Sequence, residues 1–256
     1  MNPQLKDVLV SSVKETPLES YVEILMPHVQ PAIFIEATHE ETPTDPGSTH
    51  AGGWPDLPSG TPWPTHQDIP LVFLAQFNLP DLKPFDLENV LPPSGLLSFF
   101  ADHSGPIFGH DASDAGSVQV LYTPAGPLET LTPPNEDLEV LPFTSLHFGL
   151  TYTLPSPGKG MPEDLSEASN EDDDVMDAYY ALADHEHPHQ DRLLGLSSFN
   201  STPTCPPEGD VSEWRPLLTW FQLAGTDWMD FKLIVGIREA DLKRHDFSQV
   251  WGVLGH

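Results

Sequence analysis

The 256-residue chain carries 39 Asp and Glu against 10 Lys and Arg, a formal net charge of -29. That balance excludes most readers of nucleic acid, which neutralise phosphates with clustered Lys and Arg, because between Lys14 and Lys159 the only such residue is Lys83. An anionic membrane would repel the same surface, and the single cysteine, Cys205, excludes an intrachain disulfide and a thiolate metal cage and points to a reducing cytoplasm.

In chain order, the N-terminus Met1 to Asp7 lacks the basic start, apolar stretch and small-residue cleavage site of a secretory signal, so export is not expected. Leu5 to Val13 and Leu18 to Leu25 carry apolar residues at helical spacing and predict one or two short helices. The 29 prolines exclude a mostly helical chain, since each removes a backbone donor. Ala32 to Ala37 predicts a strand, followed by a polar loop from Thr38 to Ser48. Gly52 to Pro64, rich in Gly and Pro, predicts an ordered loop whose Trp54 and Trp63 pack over the sheet edge as lids.

Leu71 to Phe77 is continuously apolar but for Gln76 and predicts a strand buried on both faces, and Gly95 to Phe100 predicts another. Ser117 to Tyr122 alternates, as an antiparallel strand with one wet face does, and Thr144 to Leu154 supplies a further strand. Pro155 to Asp174 reads as an acidic flexible linker. Its terminal acids precede Val175 to Ala183, a helix whose N-terminus they suit. The longest apolar runs, such as Leu71 to Ala75 and Leu233 to Ile237, fall far short of the roughly 20 residues a membrane span needs.

The segment Pro70-Leu71-Val72-Phe73-Leu74-Ala75-Gln76 is echoed by Pro216-Leu217-Leu218-Thr219-Trp220-Phe221-Gln222. Gly53 and Thr61-Pro62 are matched upstream by Gly195 and Thr202-Pro203, and Leu96 to Ala101 downstream by Lys232 to Ile237. Kept order and similar spacing predict an internal duplication. The expected architecture is α+β: mostly antiparallel sheets arranged as two pseudo-repeats in one body, with short N-terminal helices. Residues 1–154 form the N-terminal half with the first repeat, 155–174 the linker, and 175–256 the C-terminal half with the second, all within one globular unit spanning 1–256.

These motifs resemble the YwqG-like family of bacterial domains of unknown function. The matching residues are Gly52-Gly53-Trp54-Pro55-Asp56-Leu57-Pro58, Thr61-Pro62-Trp63-Pro64, Pro70 to Leu79 and Leu91-Pro92-Pro93-Ser94-Gly95-Leu96-Leu97-Ser98-Phe99-Phe100. Leu193-Leu194-Gly195 and Asp246 to Trp251 resemble its later landmarks, whereas the Gly-Asp-x-Gly segment expected before the last strand is missing around Trp228 to Phe231. The resemblance implies a duplicated β-rich fold and, because such domains lie near genes for secreted toxins, an immunity or interaction role. It brings no catalytic residues.

Among candidate sites, His185, His187 and His189, followed by Asp191, are the metal candidates, because alternate residues of an extended segment point the same way and imidazole suits zinc. A solvated turn around Pro188 is the competing reading, and no cofactor is called for. His103, His110 and Asp111 flank a Gly-Pro loop at a possible cleft. Ser197-Ser198 lacks a nucleophile elbow, Gly158-Lys159-Gly160 lacks the rest of a phosphate loop, and Cys205 has no basic neighbour to activate it. Gln76 and Gln222, amides inside apolar strands, each need partners. Either they fix neighbouring loops, or with Trp54, Trp63 and Trp220 they line a ligand cleft between the repeats.

Two functions follow. The first is a non-catalytic acidic module that binds a basic protein partner, such as a toxin it neutralises. The second is a small-ligand binder or enzyme using the cleft between the repeats.

Overall fold

The computed structural model describes residues 2–38, 45–103, 109, 111–157, 160–183, 191–196, 211–220 and 232–255. Helix α1 (Pro3–Val13) starts where the Asn2 side chain accepts a hydrogen bond from the Gln4 N–H and Pro3 needs no donor. Leu5, Leu9 and Val13 form its buried stripe. Thr16 caps a 3-10 turn that leads into α2 (Val22–Leu25). There follow β1 (Gln30–Thr38), β2 (His50–Ala51), β3 (Asp56–Leu57), β4 (Thr65–His66), β5 (Ile69–Pro70), β6 (Val72–Asn78), α3 (Leu79–Leu82), β7 (Leu96–Ala101), β8 (Val118–Thr123), β9 (Glu129–Thr130) and β10 (Thr144–Thr153). The chain continues through α4 (Glu163–Glu171), α5 (Asp173–Ala183), β11 (Arg192–Leu194), β12 (Trp214–Trp220), β13 (Lys232–Arg238), α6 (Glu239–Lys243) and β14 (Trp251–Gly255).

The fold is α+β. Ten strands make one antiparallel sheet in the order β14-β13-β12-β11-β1-β10-β2-β6-β7-β8. Its centre is the long β1·β10 pair, in register from Gln30↔Thr153 to Thr38↔Ser145. Strands β6 and β12, which hold residues 72–76 and 216–220 of the two echoed segments, stand third from the centre on opposite sides. A second echo emerges beside them: Asp81-Leu82-Lys83 with Asp86 and Val90 is matched by Asp241-Leu242-Lys243 with Asp246 and Val250. This echo aligns β6 and α3 with β13 and α6, one strand over from the alignment through Pro70 and Pro216.

Short β2 is inserted into the sheet by its glycines. Gly52 donates to the Leu74 carbonyl at 2.8 Å and Gly53 to the Leu141 carbonyl at 2.8 Å, so the two bridge β6 to the segment before β10. Both have positive φ, and a Cβ on Gly52 would stand 2.1 Å from the Pro142 carbonyl oxygen, so no other residue fits there.

One apolar cluster joins residues from both ends of the sheet, including Leu97, Phe99 and Val120 with Leu233, Val235 and Ile237. The sheet therefore curls around a shared interior, closed by Leu82, Leu242 and Phe247. A second cluster gathers the helices against Leu150 and Tyr152 of β10, while Leu146 and Phe148 of the same strand face the first. Alternate strand residues share a face, so the helices continue that interior rather than cover the opposite face. Arg215 grips Glu88 with two bonds, the shorter 2.5 Å, and ties β12 to the connection after α3.

Residues 155–174 are not the flexible linker read from their composition: they hold α4 and the start of α5. The compositional argument fails because Leu165 is buried in the cluster with the N-terminal helices and Ser169 is buried beside it on α4, which neutral counting of Pro, Gly, Ser and acids does not register. No helix of the described residues is long and apolar enough to cross a membrane.

Candidate functional site

Gln76 is fully buried, and both N–H groups and the oxygen of its amide are bonded. Its Oε1 accepts from the Asp56 N–H at 2.7 Å, and its Nε2 donates to the Ser48 carbonyl and to Asp56 Oδ2, each at 2.8 Å. The Asp56 carboxylate also accepts from the Gly47 N–H at 2.9 Å and the Thr130 hydroxyl at 2.7 Å. The network fastens the loop before β2, through Gly47 and Ser48, and β3 with its partner β9, onto β6. Of the two readings for Gln76, its bonds match the fixing of a neighbouring loop.

His50, opposite Gln76 in register, is buried between Phe73 and Phe143 and donates from Nδ1 to the Gly52 carbonyl at 2.8 Å. Burial holds its pKa below the usual 6.5, outweighing the opposing pull of the Gly52 carbonyl and the Asp56 charge.

Trp63 does act as a lid: its indole N–H donates to the Leu71 carbonyl at 2.9 Å, and its ring meets Phe100 edge-on at 5.8 Å. Trp54 is exposed, and Trp220 is fully buried in the shared interior. These three are thus placed on the surface, over the β6–β7 face and inside the core. Gln222, Cys205, His110 and the metal candidates His185, His187 and His189 lie outside the described residues. Among the described residues, no three His, Cys, Asp or Glu converge as a metal site. Asp111 caps the turn before β8, with its carboxyl held low by the backbone and hydroxyl of Ser113.

Where the two ends of the curled sheet meet, a groove of about 710 Å³ opens between β8 and the connection from α6 to β14. One wall is Val118 to Tyr122, and the other is His245 to Trp251. The seam is held by the Trp251 indole, which donates to the Gly109 carbonyl at 3.2 Å, and by Tyr122 and Phe247, whose rings lie 5.9 Å apart. At one end, beyond Gly116, His66 bonds the Asp102 carboxylate through Nδ1 at 2.8 Å and lies 3.1 Å from the Ser113 carbonyl through Nε2. On the rim, the Ser248 hydroxyl and N–H bind Asp246 and hold its carboxyl below the usual range. The groove is a cleft between the two halves of the chain, but its walls are residues that neither periodicity nor motif singled out as a site. The one legible hint was the match of Asp246 to Trp251 to a family landmark.

A curled ten-stranded antiparallel sheet with helices closing its interior, a cleft at its seam and two small two-stranded sheets beside it defines an α+β domain. The model of a family described as Domain of unknown function (DUF1963) matches residues 49–254, and the chain belongs to that family. The match runs from β2 to β14, so central strand β1 precedes it. No curated protein matches the chain.

Proposed function

We propose that this protein is a non-catalytic interaction module whose acidic surface holds a basic protein partner. The observation that carries the reading is the surplus of 39 acids over 10 basic residues, deepened by how the cations are used. Lys6, Arg215, Arg238, Lys243 and Arg244 each face a carboxylate of the chain itself, which leaves a field of one sign to steer association. The resemblance to the YwqG-like family supports a toxin as the partner and neutralisation as the role, and the single Cys205 fits action in the cytoplasm.

A pull-down from lysate at low salt, repeated at high salt, tests this. A basic protein recovered only at low salt is the expected result, since screening shortens the reach of surface charge to about 8 Å near physiological ionic strength. A second reading, a small-ligand binder, is favoured by the groove, whose volume of about 710 Å³ suits a metabolite. Recovery of a bound metabolite with no basic protein decides for that reading.

A further inference from the structure

The groove has a property that a metabolite pocket does not need. Its β8 wall is five successive residues, Val118 to Tyr122. Alternate side chains of a strand point to opposite faces, and Val118 and Val120 are in fact turned into the core. What five successive residues share is the backbone edge of the strand. Among the described residues, no strand pairs with that edge, because β8 ends the sheet. On the opposite wall Phe247, Val250 and Trp251 are themselves buried in the core, so there too the groove is bounded by backbone more than by open apolar surface.

The geometry points to strand addition: an extended segment of the basic partner, bearing Lys or Arg at alternate positions, pairs with the edge of β8 that no described strand covers and fills the groove. This rests on the acidic-module reading and locates its contact. Backbone hydrogen bonds along a sheet edge supply affinity, and alternate side chains supply selectivity. Charge complementarity names the occupant. No Lys or Arg is among the groove's described lining residues, and Asp246 stands ionised on its rim. The cations next to it in sequence are paired, Lys243 with Glu239 at 2.7 Å and Arg244 with Asp241, though the charge of Arg244 also reaches Asp246.

The test uses the full chain, isotope-labelled for NMR, and a short blocked peptide of alternating Lys and Val. Three controls accompany it: a Glu-Val peptide, the Lys-Val peptide with every backbone nitrogen methylated, and the protein alone across a concentration series. The expected result is shifts concentrated at residues 118–122 and 245–251 with the Lys-Val peptide, about tenfold weaker binding of the methylated analogue, and no binding of the Glu-Val peptide. Asp246→Asn, whose amide oxygen keeps the cap on Ser248, should weaken binding roughly two- to fivefold, as an exposed charge does. Shifts scattered over the surface, or equal binding of the methylated analogue, overturn strand addition and leave the acidic-module reading intact. Equal binding of the Glu-Val peptide in the groove overturns the basic occupant. Concentration-dependent shifts in the protein alone assign the edge to a second copy, and a co-purified small molecule giving the same shifts assigns the groove to a metabolite; either overturns the proposal. No binding of the Lys-Val peptide, with a basic protein still recovered in the pull-down, sinks the groove alone. Failure of both sinks the reading beneath it.

Discussion

Removing the Gln76 amide strands two groups at once, the Asp56 N–H and the Ser48 carbonyl, and takes from the Asp56 carboxylate one of its three bonds. A buried polar group left unpaired costs about 1–3 kcal/mol. Gln76→Leu should therefore lower stability by about 3 kcal/mol in urea denaturation, and a loss under about 1 kcal/mol would show that the loop does not depend on this amide. His50 gives the fold a pH dependence of definite sign. Its folded pKa is depressed by burial, so on acidification the unfolded chain takes up a proton there before the folded one. Its contribution is full above the ordinary value of 6.5 and is lost as pH falls below it toward the folded pKa. His50→Phe, which keeps a ring between Phe73 and Phe143, should flatten the decline in melting temperature between about pH 7 and pH 5. An unchanged slope would place the acid sensitivity elsewhere.

Within the central pair β1·β10, Phe34 lies opposite Gly149, and a Cβ on Gly149 would stand 2.1 Å from the Phe34 ring. The aromatic ring covers a backbone with no side chain of its own. Gly149→Ala should cost about 1–3 kcal/mol by overpacking, and much less in a Phe34→Ala background. Thermal denaturation of the four proteins reads that coupling, and additive losses would show that ring and glycine are independent. The long strands β6, β7, β8, β10, β12 and β13 were legible because apolar runs and alternation survive in them. Two-residue β3 and β9 were not, since Asp56 and Thr130 meet only through the fold. Helix α4 escaped notice because a few buried residues among acids carry little compositional weight. The groove at the seam was not legible: the Trp54, Trp63 and Trp220 proposed for a cleft were chosen by residue type, none of them lines it, and aromatics in an apolar chain serve the core as readily as a ligand.

At the scale of the whole molecule, a net charge of -29 repels itself, so screening should favour the compact state even as it weakens a charged complex. Melting temperature should rise from low to molar sodium chloride while affinity for a basic partner falls. A melting temperature that drops with salt would mean that the pairs such as Arg215 with Glu88 outweigh the general repulsion. The placing of β1 has a further outcome during synthesis. It is made before the other described strands of its sheet, and of its two neighbours β10 follows first, while β11 arrives after two more helices. Until then the flank of β1 from Ala32 to Phe34 stands uncapped at the middle of an unfinished sheet. A nascent chain halted before Arg192 would carry an adhesive border that chaperones must shield.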